Sequence, residues 1–398
     1  MAAARQLNLA LPRGRAAEDA AGSAASLWGL PDFFYRPSIR RSGTGVREIG
    51  DGMLIVGNLA AMLQVKSRNV GTDSVERKNR WIHKQTNRAF RQAKGSIRNI
   101  RTNQVKLTNA RGATANSHGS DATWVGVAIL DLDACPTGVR PEPPENGIAL
   151  LRRDWEFLFD QLKSSHAVVR YLHRVAGEAW ELGREPERYF ECAAADANAK
   201  DSPVDPRVAF PGHRAISAPI LPMEPVGSSD TQAQRMYRTL LEDIATMGNA
   251  ENRESRLAVL ASLDHLPSRT RGIAGEFLLR GVRQVFETSE GICWDFHRVA
   301  GFGRDHLAFG VCSTPHTPDI QEAFGYWVRL RHHEFCTRYG ESDEELTTTG
   351  TLLTPAISDT RSWDTTLVVV AGEQKLTRED LAMLYELWKP ENKVLSRV

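Results

Sequence analysis

The stretch DGMLIVGNLAAMLQVK, residues 51–66, decides how the first half of this chain folds. Two apolar runs, residues 53–56 and 59–66, flank the dipeptide Gly57-Asn58. This dipeptide between apolar runs is typical of a β-hairpin with a two-residue turn. Both faces of the predicted hairpin are largely apolar, which predicts a central position in its sheet.

The register of this hairpin brings three polar side chains together at its open end. A two-residue turn places Asp51 directly opposite Gln64, with their Cβ atoms about 4.5–5.5 Å apart. Lys66 lies two residues beyond Gln64 and therefore projects from the same face. The sequence thus predicts a cluster of a carboxylate, an amide and an ammonium group where a buried hairpin ends.

These residue types suit a hard divalent cation, which takes oxygen ligands. Asp51 offers a carboxylate, Gln64 an amide oxygen, and Glu48, just before the strand, a second carboxylate. Lys66 could orient and activate an attacking water, or stabilise charge that develops on a phosphate. On spacing alone a structural interpretation is equally open: Gln64 and Lys66 form the solvated end of a strand and Asp51 is a turn residue.

The segment EIGDGMLIVGNLAAMLQVKSR, residues 48–68, resembles the core motif of the PD-(D/E)xK nuclease superfamily. There an Asp on one strand is followed by acid-x-Lys on the next. Gln64 at the acid position resembles the Mrr-type branch of restriction endonucleases, and the start at Glu48 resembles nuclease-related (NERD-like) domains. The resemblance covers residues 30–130 or so. It implies an α/β, restriction-endonuclease-like core with a mixed sheet flanked by helices, and catalysis by Asp51, Gln64, Lys66 and Glu48 with Mg²⁺ or Mn²⁺.

A basic helix is predicted directly after the hairpin, over residues 74–100, with an apolar stripe on one side. Residues 64–106 hold twelve Lys or Arg against two acids, whereas the whole chain has a net charge of +1. This asymmetry is typical of a surface that binds a phosphate backbone, and the alternative is an ordinary solvated face. The predicted nucleic-acid-binding residues are Arg77, Arg80, Lys84, Arg88, Arg91, Gln92 and Arg98.

Length and composition indicate two domains: the chain has 398 residues, of which 41% are hydrophobic and 25% charged. We predict a disordered arm over 1–30, a nuclease domain over 31–200, a Pro-rich linker over 201–229 and an α+β domain of unknown role over 230–398. The arm's arginines, Arg5, Arg13 and Arg15, could touch nucleic acid. There is no stretch of eighteen apolar residues and no secretory signal in 1–26, so we expect a cytoplasmic protein without a membrane segment.

The C-terminal half contains predicted helices and strands but no motif that we can assign. The predicted helices cover 231–247, 254–263, 270–286, 319–339 and 378–388, and the strands 292–299, 307–312, 351–357 and 365–370. His332 and His333 are adjacent and lack the i, i+4 spacing of a helical zinc site, so we interpret them as structural. The cysteines are five, widely spaced and without CxxC, which favours reduced thiols.

Three functions remain open from the sequence. The first is an Mg²⁺-dependent deoxyribonuclease that acts on DNA (RNA is not excluded), with restriction or anti-phage defence as a setting consistent with the resemblance. The second is a nucleic-acid-binding module that kept the fold and lost catalysis, because Gln64 is neutral and a weaker ligand than an acid. The third is an assembly or sensor protein that acts through residues 230–398, as a homo-oligomer or with a protein partner.

Overall fold

The structure is a computed structural model that describes most of the residues of the chain. These are residues 4–37, 40–42, 45–47, 50–68, 74–103, 105–116, 122–198, 221–223, 228–248, 253–287, 291–300, 305–339, 346–357, 362–374 and 376–388. The chain divides into two compact units, residues 1–202 with 219–225 and residues 203–218 with 226–398. Each unit is α/β and contains one mixed sheet, which confirms the predicted fold class at this level.

The first unit is built on a seven-stranded mixed sheet with the order β7-β6-β1-β4-β5-β8-β9. Strands β5, β8 and β9 are parallel, and the other neighbouring strands of the sheet pair antiparallel. A separate antiparallel pair is formed by two short strands, β2 and β3. The strands of this unit are β1 (Phe34–Pro37), β2 (Arg40–Ser42), β3 (Gly45–Arg47), β4 (Gly52–Val56), β5 (Leu59–Ser67), β6 (Lys106–Asn109), β7 (Thr114–Asn116), β8 (Thr123–Asp131) and β9 (Gly147–Leu151).

The predicted hairpin is confirmed as β4 and β5. Gly52 lies opposite Leu63 and Val56 opposite Leu59, which is the register that a two-residue turn imposes. Gly57 in the turn has φ +58°, a conformation that glycine adopts without steric cost. β4 and β5 are the fourth and fifth of seven strands, so the central position predicted from their apolar faces is correct.

Helices cover both faces of this sheet. One face packs against α1, α3, α4 and α5 through inward residues of β5 such as Ala61, Leu63 and Val65. The other face packs against α2 through the alternate residues, such as Ala60 and Met62. The helices are α1 (Arg13–Leu27), α2 (Val75–Thr102), α3 (Arg152–Leu162), α4 (Ser165–Arg174) and α5 (Glu185–Asn198).

Helix α2 confirms the predicted basic helix. It begins after Ser74, whose side chain accepts a hydrogen bond from the backbone N–H of Arg77 at 3.4 Å. Its apolar stripe, which includes Ile82 and Ala93, is buried against the sheet. A Cβ added to Gly126 of β8 would lie only 3.3 Å from that of Ala93, so the helix and the sheet approach closely there.

The predicted disordered arm at residues 1–30 is wrong, because half of it, Arg13–Leu27, forms α1. The small residues of α1 are buried against the sheet and α3, and a Cβ added to Gly22 would lie 2.8 Å from the Phe34 ring. The Ala/Arg/Gly-rich composition suggested disorder, but alanine has the highest helix propensity and its small side chain permits close packing. The three arginines of this segment pair with carboxylates of the protein: Arg5 with Asp160, Arg13 with Asp131 and Asp133, and Arg15 with Glu18.

Further elements of the first unit were not predicted, namely β1, β2, β3, β7, β9 and α5. Helix α4 ends at Arg174, before Gly177 adopts φ +83°. Most of the predicted linker, namely residues 201–220 and 224–227, lies outside the described residues. Its residues 221–223 belong to the first unit, where Leu221 is buried and the carbonyl of Pro222 accepts a hydrogen bond from the Tyr189 hydroxyl at 3.1 Å.

The second unit confirms the helices and strands predicted for the C-terminal half. Its sheet has the order β10-β11-β12-β13, with β11 and β12 parallel. His306 and His332 both contact the Thr348 hydroxyl inside this unit, at 3.3 and 2.9 Å, in keeping with a structural role. No helix in the described part of the chain is long and apolar enough to cross a membrane. The elements are β10 (Trp294–Ala300), β11 (Asp305–Cys312), β12 (Thr347–Pro355), β13 (Trp363–Ala371), α6 (Ser228–Thr246), α7 (Arg253–Asp264), α8 (Ser268–Gln284), α9 (Pro318–Tyr339) and α10 (Arg378–Leu387).

Candidate functional site

Asp51, Gln64 and Lys66 lie together at the open end of the β4–β5 hairpin. Lys66 Nζ is 3.3 Å from Asp51 Oδ2 and 3.3 Å from Gln64 Oε1. It also donates to the backbone carbonyl of Val65 at 3.1 Å. The ammonium group therefore links the carboxylate and the amide oxygen that the hairpin register places opposite each other.

The carboxylate of Asp51 is held by the backbone as well as by Lys66. Its Oδ2 accepts a hydrogen bond from the N–H of Val65 at 2.6 Å, and its own N–H donates to the carbonyl of Leu63 at 3.1 Å. Gly50, which precedes it, has φ +77°, and a Cβ there would lie 2.7 Å from Met62 Sδ. The entry to the hairpin thus requires glycine, and it fixes Asp51 beside β5.

The site is largely withdrawn from solvent. Gln64 is 2% exposed, and the side chains of Asp51 and Lys66 are 13% and 16% exposed. Charges at this depth interact more strongly than charges at a fully solvated surface. All three residues project from the face of the sheet that α2 covers, because Gln64 and Lys66 continue the alternation of Ala60 and Met62.

Glu48, the predicted second carboxylate ligand, lies outside the described residues. The other predicted ligands, Asp51 and Gln64, provide only oxygen donors. Mg²⁺ in proteins is commonly held by one or two carboxylates, with water and substrate phosphate completing its coordination. The described donor set fits such a cation. In the described ranges no group of three or more His, Cys, Asp or Glu is arranged to hold a metal ion.

The predicted nucleic-acid-binding residues of α2 are on its solvent face. All seven are exposed: Arg77, Arg80, Lys84, Arg88, Arg91, Gln92 and Arg98. At 100° per residue they lie on the opposite side of the helix from its buried stripe. Within the described part of the chain, Lys84, Arg88 and Arg91 form no ion pair, so their charge is not neutralised internally. We call all seven exposed residues the α2 basic stripe.

The N-terminal end of α2 adjoins the end of β5 through an aromatic contact. The guanidinium of Arg68, just after β5, lies 5.4 Å from the ring centroid of Trp81, within the range of a cation–π interaction. On α2, Lys84 and Gln92 are exposed, and Gln85 is half-buried. The structure therefore places the α2 basic stripe and the Asp51–Gln64–Lys66 cluster in one unit, on two sides of α2.

A buried ionic cluster at the carboxyl end of β8 was not predicted. Asp131 accepts from Arg152 at 2.7 Å and from Arg13 at 3.2 Å, and a hydrogen bond from Arg13 lowers the pKa of Asp133. These residues line a cavity of about 510 Å³. The sequence signal for this cluster was an apolar strand that ends at Asp131 and is followed by Leu132 and Asp133. Ligand crevices of α/β sheets lie at the carboxyl ends of strands. Asp131 projects from the α3 face, opposite to Lys66.

Comparison with protein-family models, with curated proteins and with solved structures finds no match for this chain. The case for a function therefore depends on the geometry and charge of the described residues.

Proposed function

We propose that the first unit is a restriction-endonuclease-like, metal-dependent nuclease that hydrolyses phosphodiester bonds of DNA. The observation that carries the proposal is Lys66 Nζ at 3.3 Å from both Asp51 Oδ2 and Gln64 Oε1, at the end of a central hairpin. The order of elements supports it: a strand that follows Asp51, the strand of Gln64 and Lys66, and then a basic helix.

Each residue of the cluster has a chemical role in this reaction. Asp51 and Gln64 would hold Mg²⁺ or Mn²⁺, and Glu48 would add a ligand directly or through water; the cation would supply Lewis-acid stabilisation of the phosphate. Lys66 orients the attacking water and balances the negative charge that grows on the phosphate oxygens. The water oxygen forms a bond to phosphorus as the bond to the leaving oxygen breaks. The water's proton passes to solvent, and the leaving oxygen takes up a proton to become a hydroxyl.

The α2 basic stripe would bind the substrate through its phosphates. Exposed arginine and lysine side chains attract a polyanion and release its counterions on binding. Contacts of this type position a duplex without reading its sequence. We therefore expect DNA binding that depends strongly on salt and weakly on base sequence.

Plasmid cleavage tests the proposal. Wild type, Asp51→Ala and Lys66→Ala are incubated with supercoiled plasmid in Mg²⁺, in Mn²⁺ and in EDTA, after their thermal unfolding has been compared. Wild type should cleave with either metal and not in EDTA, and both variants should lose cleavage. Lys163→Ala is the matched control, because Lys163 ends α3 on the other face of the sheet, and it should cleave like wild type.

A second candidate is a nucleic-acid-binding module that no longer cleaves. It is favoured by the bonds that Asp51 Oδ2 already makes to Val65 N–H and Lys66, and by the neutral amide at Gln64. In the same experiment this candidate predicts metal-independent retention of the plasmid without cleavage. That outcome would reject the nuclease proposal and retain the role of the α2 basic stripe.

A further inference from the structure

Thr86, on the buried face of α2, carries a hydroxyl that no described protein group satisfies. The residue is 1% exposed and its Oγ1 has no hydrogen-bond partner. A threonine in a helix commonly donates to the carbonyl four residues earlier, as Thr102 does to Arg98 at 2.9 Å, but Thr86 does not. A buried hydroxyl without a partner is destabilising, and a bound water would satisfy it.

The packing of α2 on β8 shows where Thr86 lies along the sheet. Ile82 belongs to the same apolar cluster as Leu130, and Ala89 to the same cluster as Ala128. Thr86 lies between Ile82 and Ala89 on this buried face. It therefore faces the sheet at the level of residues 128–130 of β8.

The register between β5 and β8 relates this level to the candidate site. Gln64 pairs with Ala128, and Lys66 pairs with Leu130. Gln64 and Lys66 also project from the face of the sheet that α2 covers. The hydroxyl of Thr86 is thus buried at the same level of the sheet as the amide of Gln64 and the ammonium of Lys66, on the same side.

We propose that Thr86 is a positioning residue of the nuclease site, whose hydroxyl holds the water that attacks phosphorus. A hydroxyl is both a donor and an acceptor, so it can fix the orientation of a water that Lys66 also contacts. The inference rests on the proposed function. It explains why a destabilising hydroxyl stands in an otherwise apolar helix face.

Steady-state cleavage by Thr86→Val and Thr86→Ser tests this role. Valine keeps the shape of threonine and removes the hydroxyl; serine keeps the hydroxyl. For Thr86→Val we expect kcat to fall about tenfold or more, while KM for DNA changes less than about twofold and Tm stays equal or rises, because an unsatisfied group is removed. Thr86→Ser should keep kcat within about threefold of wild type.

Thr351→Val, in the second unit, is the matched control. Thr351 is also 1% exposed with an unpartnered hydroxyl, so the exchange should affect Tm in the same direction and leave cleavage unchanged. If wild type cleaves and Thr86→Val cleaves as fast, the inference alone is overturned. If Thr86→Val loses kcat together with Tm and serine does not restore it, the role is structural and the inference fails. A wild type that binds DNA and never cleaves would overturn both the proposed function and this inference.

Discussion

The substitution Gln64→Glu tests the position at which this site differs from the family motif that it resembles. Glu has the shape of Gln, so we expect the new carboxylate to keep its place 3.3 Å from Lys66 Nζ. At an effective dielectric constant of about 20, opposite unit charges at this distance attract by about 5 kcal/mol. Asp51 Oδ2 is also 3.3 Å from Nζ, so the two carboxylates would lie within about 6.6 Å and repel by at least about 2.5 kcal/mol.

These energies predict that Gln64→Glu destabilises the protein without a divalent cation and strengthens the binding of such a cation. In EDTA, repulsion and the desolvation of a new buried charge oppose the attraction to Lys66, so we expect the free energy of unfolding to fall by about 1–3 kcal/mol. A divalent cation between the carboxylates removes the repulsion. Since 1.4 kcal/mol corresponds to a factor of ten, Mg²⁺ should bind the variant about ten- to a hundredfold more tightly than wild type.

Calorimetric titration with MgCl₂ measures this difference, and the rise of Tm with Mg²⁺ concentration provides a second readout. Gln321→Glu is the control, because it adds the same charge at an exposed position of α9. Equal Mg²⁺ affinity of wild type and Gln64→Glu would refute the reasoning, since a cation bound at Asp51 and residue 64 must respond to the added charge.

Three further predictions concern the basic stripe, a buried histidine and the buried ionic cluster. Substitution of Arg80, Lys84 and Arg88 by Glu should weaken DNA binding for all sequences alike. It should also reduce the slope of log K against log salt concentration by about 0.9 for each phosphate that the protein no longer neutralises. Fluorescence anisotropy measures this slope, and an unchanged slope would show that the stripe does not bind phosphates. Burial lowers the pKa of His306 to about 4, with further contributions from Arg298, His332 and Arg331. Because the pKa of histidine in the unfolded chain is near 6.5, the free energy of unfolding should fall by up to about 3 kcal/mol as the pH falls from about 6.5 to 4. Urea unfolding across this pH range measures the fall, and His306→Asn should make the free energy of unfolding less dependent on pH. Arg152→Met leaves the buried carboxylates of Asp131 and Glu156 without their shared guanidinium, so the free energy of unfolding of the first unit, measured in urea, should fall by about 3–5 kcal/mol. Arg5→Ala removes an exposed pair with Asp160 and should lower the same free energy by under about 1 kcal/mol. Equal effects of the two substitutions would show that burial does not strengthen the cluster.

The parts of the fold that were predictable from sequence depend on local rules. The β4–β5 hairpin follows from its turn dipeptide and apolar flanks, and the register then brings Asp51, Gln64 and Lys66 together. Helix α2 follows from its apolar spacing and its N-cap serine. In each case the decisive residues are within a few positions of each other in the sequence.

The parts that were not predictable depend on contacts between distant residues. Helix α1 has too few large apolar residues to be recognised, and its order comes from close packing on β5 and α3. The short strands β1 and β9 acquire their place only by pairing with β4 and β8. The pairing of Arg13 with Asp131 joins residues 118 positions apart, and the unpartnered hydroxyl of Thr86 becomes evident only once α2 has been packed against the sheet.

Our main proposal is that Asp51 and Gln64 bind a divalent cation beside Lys66. Anomalous diffraction from a crystal of the full chain soaked in Mn²⁺, at a concentration that supports plasmid cleavage, tests it most directly. We expect an ion within about 2.0–2.6 Å of oxygens of Asp51 and Gln64, with Lys66 Nζ moved from its position between them. Well-ordered side chains of Asp51, Gln64 and Lys66 in their present contacts, with no ion between them, would contradict it.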